Sequence, residues 1–115
     1  MSVQIIHNPR CSKSRETLKL LEEQGAKPDV RLYLVHPLSR EELEQIVSQL
    51  GIHARGLLRT KEDLYKELVA RHGEPDDATA LAWMTEHPKL MERPIVVAKG
   101  KARIGRPPEK VLEIL

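Results

Sequence analysis

The chain of 115 residues contains a single cysteine, Cys11. No internal disulfide is possible, which excludes a cystine-stapled secreted domain and makes a reducing compartment, the cytoplasm, the expected location. Phenylalanine is absent and aromatic residues make up only 3%, leaving few platforms on which bases could stack. The 19 basic and 17 acidic side chains nearly cancel, to a net charge of +2, so the chain lacks the electrostatic footprint of a nucleic-acid binder. No run approaches the roughly 18 apolar residues of a membrane span, and Met1–His7 has neither the basic start nor the long apolar stretch of a signal peptide. Neither nucleic acid nor membrane is expected as a partner. Nor is a metal: His7, His36, His53, His72 and His87 show no H-E-x-x-H or zinc-finger spacing. Without an internal repeat, low-complexity tract or linker, residues 1–115 read as one autonomously folded domain, expected to be monomeric.

What is present is an alternation of short apolar runs and helical patterns. Val3–His7 reads as a strand stopped by the turn-prone pair Asn8-Pro9. Ser12–Gln24 is rich in helix formers, with Leu18 and Leu21 on one face and Gly25 at the position of a left-handed cap. Val30–Val35 reads as a second strand, and the intervening helix makes the pair parallel. After Pro37, Ser39 and Glu42 have capping-box spacing, Leu43, Ile46, Val47 and Leu50 follow a helical period, and Gly51 closes the segment. Ala54–Glu86 is helical in character, broken near Thr60 and at Gly73-Glu74-Pro75, with Asp76 or Asp77 able to cap the last piece. Pro94–Ala98 and Ala102–Ile104 form a hairpin about Lys99-Gly100-Lys101, and Pro107-Pro108 opens a final helix. The order predicts an α/β fold with a small mixed sheet covered by helices.

Cys11 follows a strand and turn and precedes a helix. Unpaired amides and the positive end of the helix dipole would therefore face its sulfur, and both favour thiolate. Cationic neighbours such as Arg10, Lys13 or Arg15 add to this, in settings that take a thiol from about 8.5 to roughly 3.5–7.5. His7, four residues earlier, could add a hydrogen bond. The bland alternative is a small buried hydrophobe, for which a turn flanked by Arg10, Ser12 and Lys13 is a poor setting. In Cys11-Ser12-Lys13-Ser14, serine stands where a C-x-x-C redox pair has its second cysteine, so an external thiol must resolve any adduct on Cys11.

Arg59, Arg93 and Arg106 each lie at the edge of a predicted element, where side chains can converge on one pocket. Guanidinium groups are permanently charged forks that match a tetrahedral oxyanion such as phosphate or arsenate. Two near-motifs fail. Gly100–Gly105 has Walker-A spacing, but Arg106-Pro107 replaces Lys-Ser/Thr and the segment reads as a hairpin. Cys11–Arg15 is C-x3-R, not the C-x5-R loop of a cysteine-dependent phosphatase.

The segments His7-Asn8-Pro9-Arg10-Cys11-Ser12-Lys13-Ser14-Arg15, Leu57-Leu58-Arg59, Glu92-Arg93-Pro94-Ile95-Val96-Val97 and Arg103-Ile104-Gly105-Arg106-Pro107-Pro108 together resemble the ArsC family, and within it the glutaredoxin-linked, arsenate-reductase-like branch. The likeness runs over nearly the whole chain. It implies a thioredoxin-like (glutaredoxin-like) fold, a mixed four-stranded sheet with a helical insertion at about residues 39–88. The implied activity is reduction of arsenate to arsenite through a covalent Cys11 thiolate–arsenate adduct, with no tightly bound cofactor, glutathione as co-substrate and glutaredoxin as the partner that regenerates the thiol. By the same resemblance, His7 helps keep the sulfur ionised, Arg59, Arg93 and Arg106 hold the oxyanion, and the bond before Pro94 is cis.

Two features depart from characterised arsenate reductases. Gly105 stands where they can carry a cysteine, and the chain lacks their longer C-terminal tail. The physiological oxyanion of this branch can therefore differ. A rival expectation is an adaptor: Spx-type regulators share the fold and bind RNA polymerase, but they typically carry C-x-x-C, whereas this chain has Ser14 and all three arginines.

Overall fold

The computed structural model describes residues 2–115, which divide into two compact units, one of residues 2–36 with 93–115 and the other of Pro37–Glu92. In the first, β1 (Val3–His7) is flanked on one side by β2 (Asp29–Leu32), parallel to it, and on the other by β3 (Ile95–Ala98), antiparallel; β4 (Lys101–Ile104) pairs antiparallel with β3. The order β2-β1-β3-β4 makes β1 and β3 the inner strands, and they are the most apolar ones. Between β1 and β2 runs α1 (Ser12–Glu23), ended by Gly25 with a left-handed φ of 80°.

A core of Val3, Ile5, Leu21, Val96, Ala98, Val111 and Ile114 joins the sheet to α1 and to the final segment. Burying each of the large aliphatic members contributes about 1.5–3 kcal/mol. Truncating fully buried Ile5 to alanine should cost about 2–5 kcal/mol, because a cavity is left as well. Between β3 and β4 the chain turns on two residues, Lys99 (φ 55°) and Gly100 (φ 75°), a loop of the kind that needs positive φ at both positions.

Two expectations are corrected, and the expected final helix is present in a tighter form. The second strand stops at Leu32 rather than Val35, because the amides of Val35 and His36 both turn back to the Leu32 carbonyl, at 3.0 and 2.8 Å. The hairpin loop is two residues, not three, since Lys101 pairs with Ala98. The last segment, Pro108–Ile114, is a 3-10 helix.

In the second unit, α2 (Arg40–Leu50) begins with the capping box of Ser39 and Glu42 and ends on Gly51 in the left-handed region. A 3-10 turn (Ala54–Leu57) leads to α3 (Asp63–His72) and α4 (Asp77–Glu86); Asp76 caps α4 through the Thr79 amide at 2.8 Å. Helix α4 packs on α2 and on the 3-10 turns Ala54–Leu57 and Pro88–Leu90. Trp83 of α4 meets Tyr65 of α3 edge to face. Among the described residues, no helix is long and apolar enough to cross a membrane.

Candidate active site

Cys11 is the N-cap residue of α1, with extended backbone (φ −93°, ψ 123°). Its amide donates to the Asn8 carbonyl at 3.0 Å, so the Asn8-Pro9-Arg10 turn delivers the thiol to the helix start. The turn is not the open setting its flanking charges suggest: only 8% of the residue's surface remains accessible. Burial alone pushes the thiol up. The amide of Ser14, the charge of Arg93, the amide of Lys13 and the charge of Arg106 together outweigh it, and the net result is a thiol held below its ordinary value. These amides lie near the sulfur without closing a capping hydrogen bond. They act as the positive end of the helix.

The cations that act on the sulfur come from far along the chain. Arg106 Nη2 donates to Cys11 Sγ at 3.5 Å, while its Nε donates to the Arg93 carbonyl at 2.8 Å. The expectation that Arg10, Lys13 or Arg15 supplies the charge is corrected, for neither Arg93 nor Arg106 is a sequence neighbour of the thiol. Lys13 Nζ instead lies 3.5 Å from Glu16, and Arg15 Nη1 donates to the Pro9 carbonyl at 2.9 Å.

Arg93, just before the cis peptide at Pro94, has a buried Nε with no hydrogen-bond partner. Leaving a charged donor buried and unsatisfied is costly, and it suits a site that takes an anion. The cis bond at Pro94 is the one implied by the resemblance, and Arg106–Pro107 is cis as well.

His7 is 5% exposed at the end of β1, and its Nδ1 lies 2.6 Å from Ser14 Oγ rather than on the sulfur. The same oxygen accepts the Asn8 amide at 3.0 Å. Burial and then the Arg15 charge hold His7 below its ordinary value, which favours the neutral ring. His7 thus bears on Cys11 through Ser14, whose amide is one of the groups stabilising the thiolate. The sequence showed Ser14 only as a missing cysteine. Its spacing, three residues past the N-cap and seven past His7, was the available signal.

Arg59 belongs to the helical unit. Its Nη1 donates to Glu62 Oε1 at 2.8 Å, its Nε lies 3.6 Å from Glu92 Oε1, and its amide donates to the Leu90 carbonyl at 2.7 Å. Leu58 and Met91 form a short antiparallel bridge beside it. Among the described residues, no three or more His, Cys, Asp or Glu side chains gather to hold a metal ion.

Comparison with known proteins agrees with this architecture. The ArsC family matches residues 6–114. The chain is 57% identical to the uncharacterised protein YfgD of Escherichia coli K12, over 98% of this chain and 96% of that one. It is 52% identical to an arsenate reductase of Haemophilus influenzae over the whole of both chains. The solved structure of an arsenate reductase from Vibrio cholerae superposes with a TM-score of 0.94 at 58% identity, covering all of this chain and 98% of that one. The mixed four-stranded sheet with its helical unit is the thioredoxin-like architecture of these structures.

Proposed function

The chain belongs to the ArsC family, and from that premise we propose that it is an arsenate reductase working through a thiolate–arsenate adduct on Cys11. One observation carries the reading: the Arg106 guanidinium sits 3.5 Å from a Cys11 sulfur held below its ordinary pKa, in the same unit as an Arg93 Nε that is buried and unpartnered. A nucleophile and forked cationic donors are what attack on a tetrahedral oxyanion requires.

In the first step the Cys11 sulfur bonds to the arsenic of the arsenate monoanion. One arsenic–oxygen bond breaks, and that hydroxyl leaves as water with the proton that the thiol gave up. Arsenic stays pentavalent, and the adduct keeps the single negative charge of the substrate. Arg93 and Arg106 offset the negative charge that builds on the remaining oxygens. Arg59 is assigned to the same anion from its place in the motif Leu57-Leu58-Arg59. In the second step glutathione attacks the Cys11 sulfur. The sulfur–arsenic bond breaks with its electron pair left on arsenic, which is thereby reduced to the trivalent state, and the glutathione thiol proton passes to an arsenic-bound oxygen. Arsenite monoanion leaves, and the two sulfurs, each oxidised by one electron, remain joined as a mixed disulfide. Because Cys11 is the sole cysteine, that disulfide must be opened from outside, by the thiol of glutaredoxin, which becomes glutathionylated as Cys11 returns to its reduced form. No tightly bound cofactor enters this scheme.

The test is arsenite production from arsenate with glutathione, glutaredoxin and an NADPH-regenerating reductase, comparing the wild type with Cys11→Ser. Turnover abolished by the substitution supports the reading. Correctly folded wild-type protein without turnover would overturn it in favour of another oxyanion or of the adaptor role.

A further inference from the structure

Arg93 and Arg59 are not held alike. Arg93 has a buried Nε without a hydrogen-bond partner, whereas Arg59 sits between two carboxylates. Its Nη1 donates to Glu62 Oε1 at 2.8 Å and reaches the Lys89 carbonyl at 3.5 Å, and its Nε lies 3.6 Å from Glu92 Oε1.

The backbone fixes where both carboxylates start. Glu92 follows the short antiparallel bridge of Leu58 and Met91, where its amide donates to the Leu57 carbonyl at 2.8 Å and the Arg59 amide to the Leu90 carbonyl at 2.7 Å. Glu62, whose amide donates to the Arg59 carbonyl at 3.2 Å, is the N-cap residue of α3, yet its side chain makes no cap bond. That carboxylate is turned to Arg59 instead. Side-chain exposure is 27% for Arg59, 29% for Glu62 and 28% for Glu92, so water and salt screen these charges less than on an open surface.

Two formal negative charges thus stand against one positive charge. The geometry of the fork survives this, because among the described residues no hydrogen bond takes up Nη2. Arg59 keeps donors for a ligand oxygen while its attraction for a negative ligand is cancelled.

We propose that Glu62 and Glu92 are specificity-determining residues for the oxyanion: they leave the Arg59 fork its donors but overcompensate its charge, so that a doubly charged tetrahedral anion is disfavoured more than a singly charged one. Discrimination of this kind uses a repulsive element built against the wrong ligand. The inference deepens the reductase reading, whose substrate is a monoanion, and rests on Arg59 serving that anion, as its motif assigns.

The test is binding, without turnover. Dissociation constants for arsenate and for sulfate are measured by titration calorimetry in mildly acidic buffer, where most arsenate carries one charge and sulfate carries two. The parent protein is Cys11→Ser, which cannot form the adduct; Glu62→Gln, Glu92→Gln and Arg59→Ala are each added to it. Glutamine keeps the acceptor oxygen and removes only the charge.

Each glutamine should tighten arsenate binding by about threefold or more, the effect of one charge at roughly 5 Å in a water-like dielectric. Sulfate binding should tighten by about the square of that factor, because the interaction doubles with the charge of the ligand. Arg59→Ala should weaken arsenate binding by about tenfold or more. Unchanged or weaker arsenate binding in either glutamine variant, or equal gains for the two anions, overturns the proposal while the Arg59→Ala result still supports the oxyanion site. If Arg59→Ala binds arsenate as well as its parent, the assignment of Arg59 fails and the proposal with it. Absence of arsenate binding in every protein overturns both. Arsenate bound but not reduced by the wild type would remove the reductase reading and leave the proposal standing.

Discussion

Arg106 and Arg93 are tied backbone to side chain: the Arg93 carbonyl accepts Arg106 Nε at 2.8 Å, and this leaves Nη2 of the same fork 3.5 Å from Cys11 Sγ. The carbonyl fixes the plane of the guanidinium, so the donor at the sulfur comes already oriented. An ammonium has the charge but not the fork. Arg106→Ala should lower arsenate reduction by about 10²–10³-fold, the usual cost of one donor to a developing oxyanion. Arg106→Lys should recover less than a tenth of the lost rate, because one nitrogen cannot serve the Arg93 carbonyl and the sulfur together. Wild-type turnover in the lysine variant would show that charge alone suffices.

Cys11 titration follows from the same geometry. With its folded pKa below the ordinary value, alkylation by iodoacetamide should reach half its maximal rate at a pH below that of a free thiol. Arg93→Ala and Arg106→Ala should each move this midpoint upward. Stability is linked in sign: between the folded and the unfolded pKa the unfolded chain binds more protons, so stability from this group is complete above the unfolded value and is lost as pH falls through the folded one. Cys11→Ser should flatten that limb of a stability profile. An alkylation midpoint equal to that of a cysteine peptide would refute the activated thiol.

Local chemistry made most of the fold legible. Gly25 and Gly51, each just past a helical pattern, do take left-handed conformations, and the Ser39–Glu42 box closes as its spacing requires. Misplaced boundaries came from apolar residues that propensity reads as strand: Leu34 and Val35 are exposed in a turn, and only the backbone bonds to Leu32 reveal it. The site was legible in its residue types but not in its partnerships. His7 was paired with Cys11 by sequence distance, whereas the imidazole meets Ser14. The charges on the sulfur come from Arg93 and Arg106, near the far end of the chain, because sheet closure through Pro94 and Gly105 sets them there. No local pattern in a single chain encodes that closure.

The Ser39 cap gives a test confined to the helical unit. Its hydroxyl accepts the Glu42 amide at 3.1 Å, and the Glu42 carboxylate accepts the Ser39 amide at 2.9 Å. Ser39→Ala removes one half of this exchange and should cost about 1 kcal/mol in urea unfolding, while Ser39→Asp should keep most of it. Equal stability of all three proteins would mean that the first turn of α2 gains nothing from the box.

His7 and Ser14 provide the acid-side counterpart. Ser14 Oγ accepts the Asn8 amide, and the acceptor within reach of its own proton is His7 Nδ1; a neutral ring with its hydrogen on Nε2 satisfies all three groups. Ser14→Ala leaves the ring nitrogen and the Asn8 amide without this partner and should cost about 1–3 kcal/mol. The His7 pKa, lowered by burial and by Arg15, means that on acidification the unfolded chain takes the proton first. Stability from the neutral ring is therefore complete above the ordinary histidine value of 6.5 and is lost below it, until the folded ring titrates at its own lower pKa. His7→Gln keeps an acceptor for Ser14 but cannot take up a proton, so the wild type's stability relative to His7→Gln should fall as pH is lowered from about 7.5 to about 5. A difference that stays constant over this range would place the His7 pKa at its ordinary value and would remove the neutral imidazole from the account of how Ser14 is held beside Cys11.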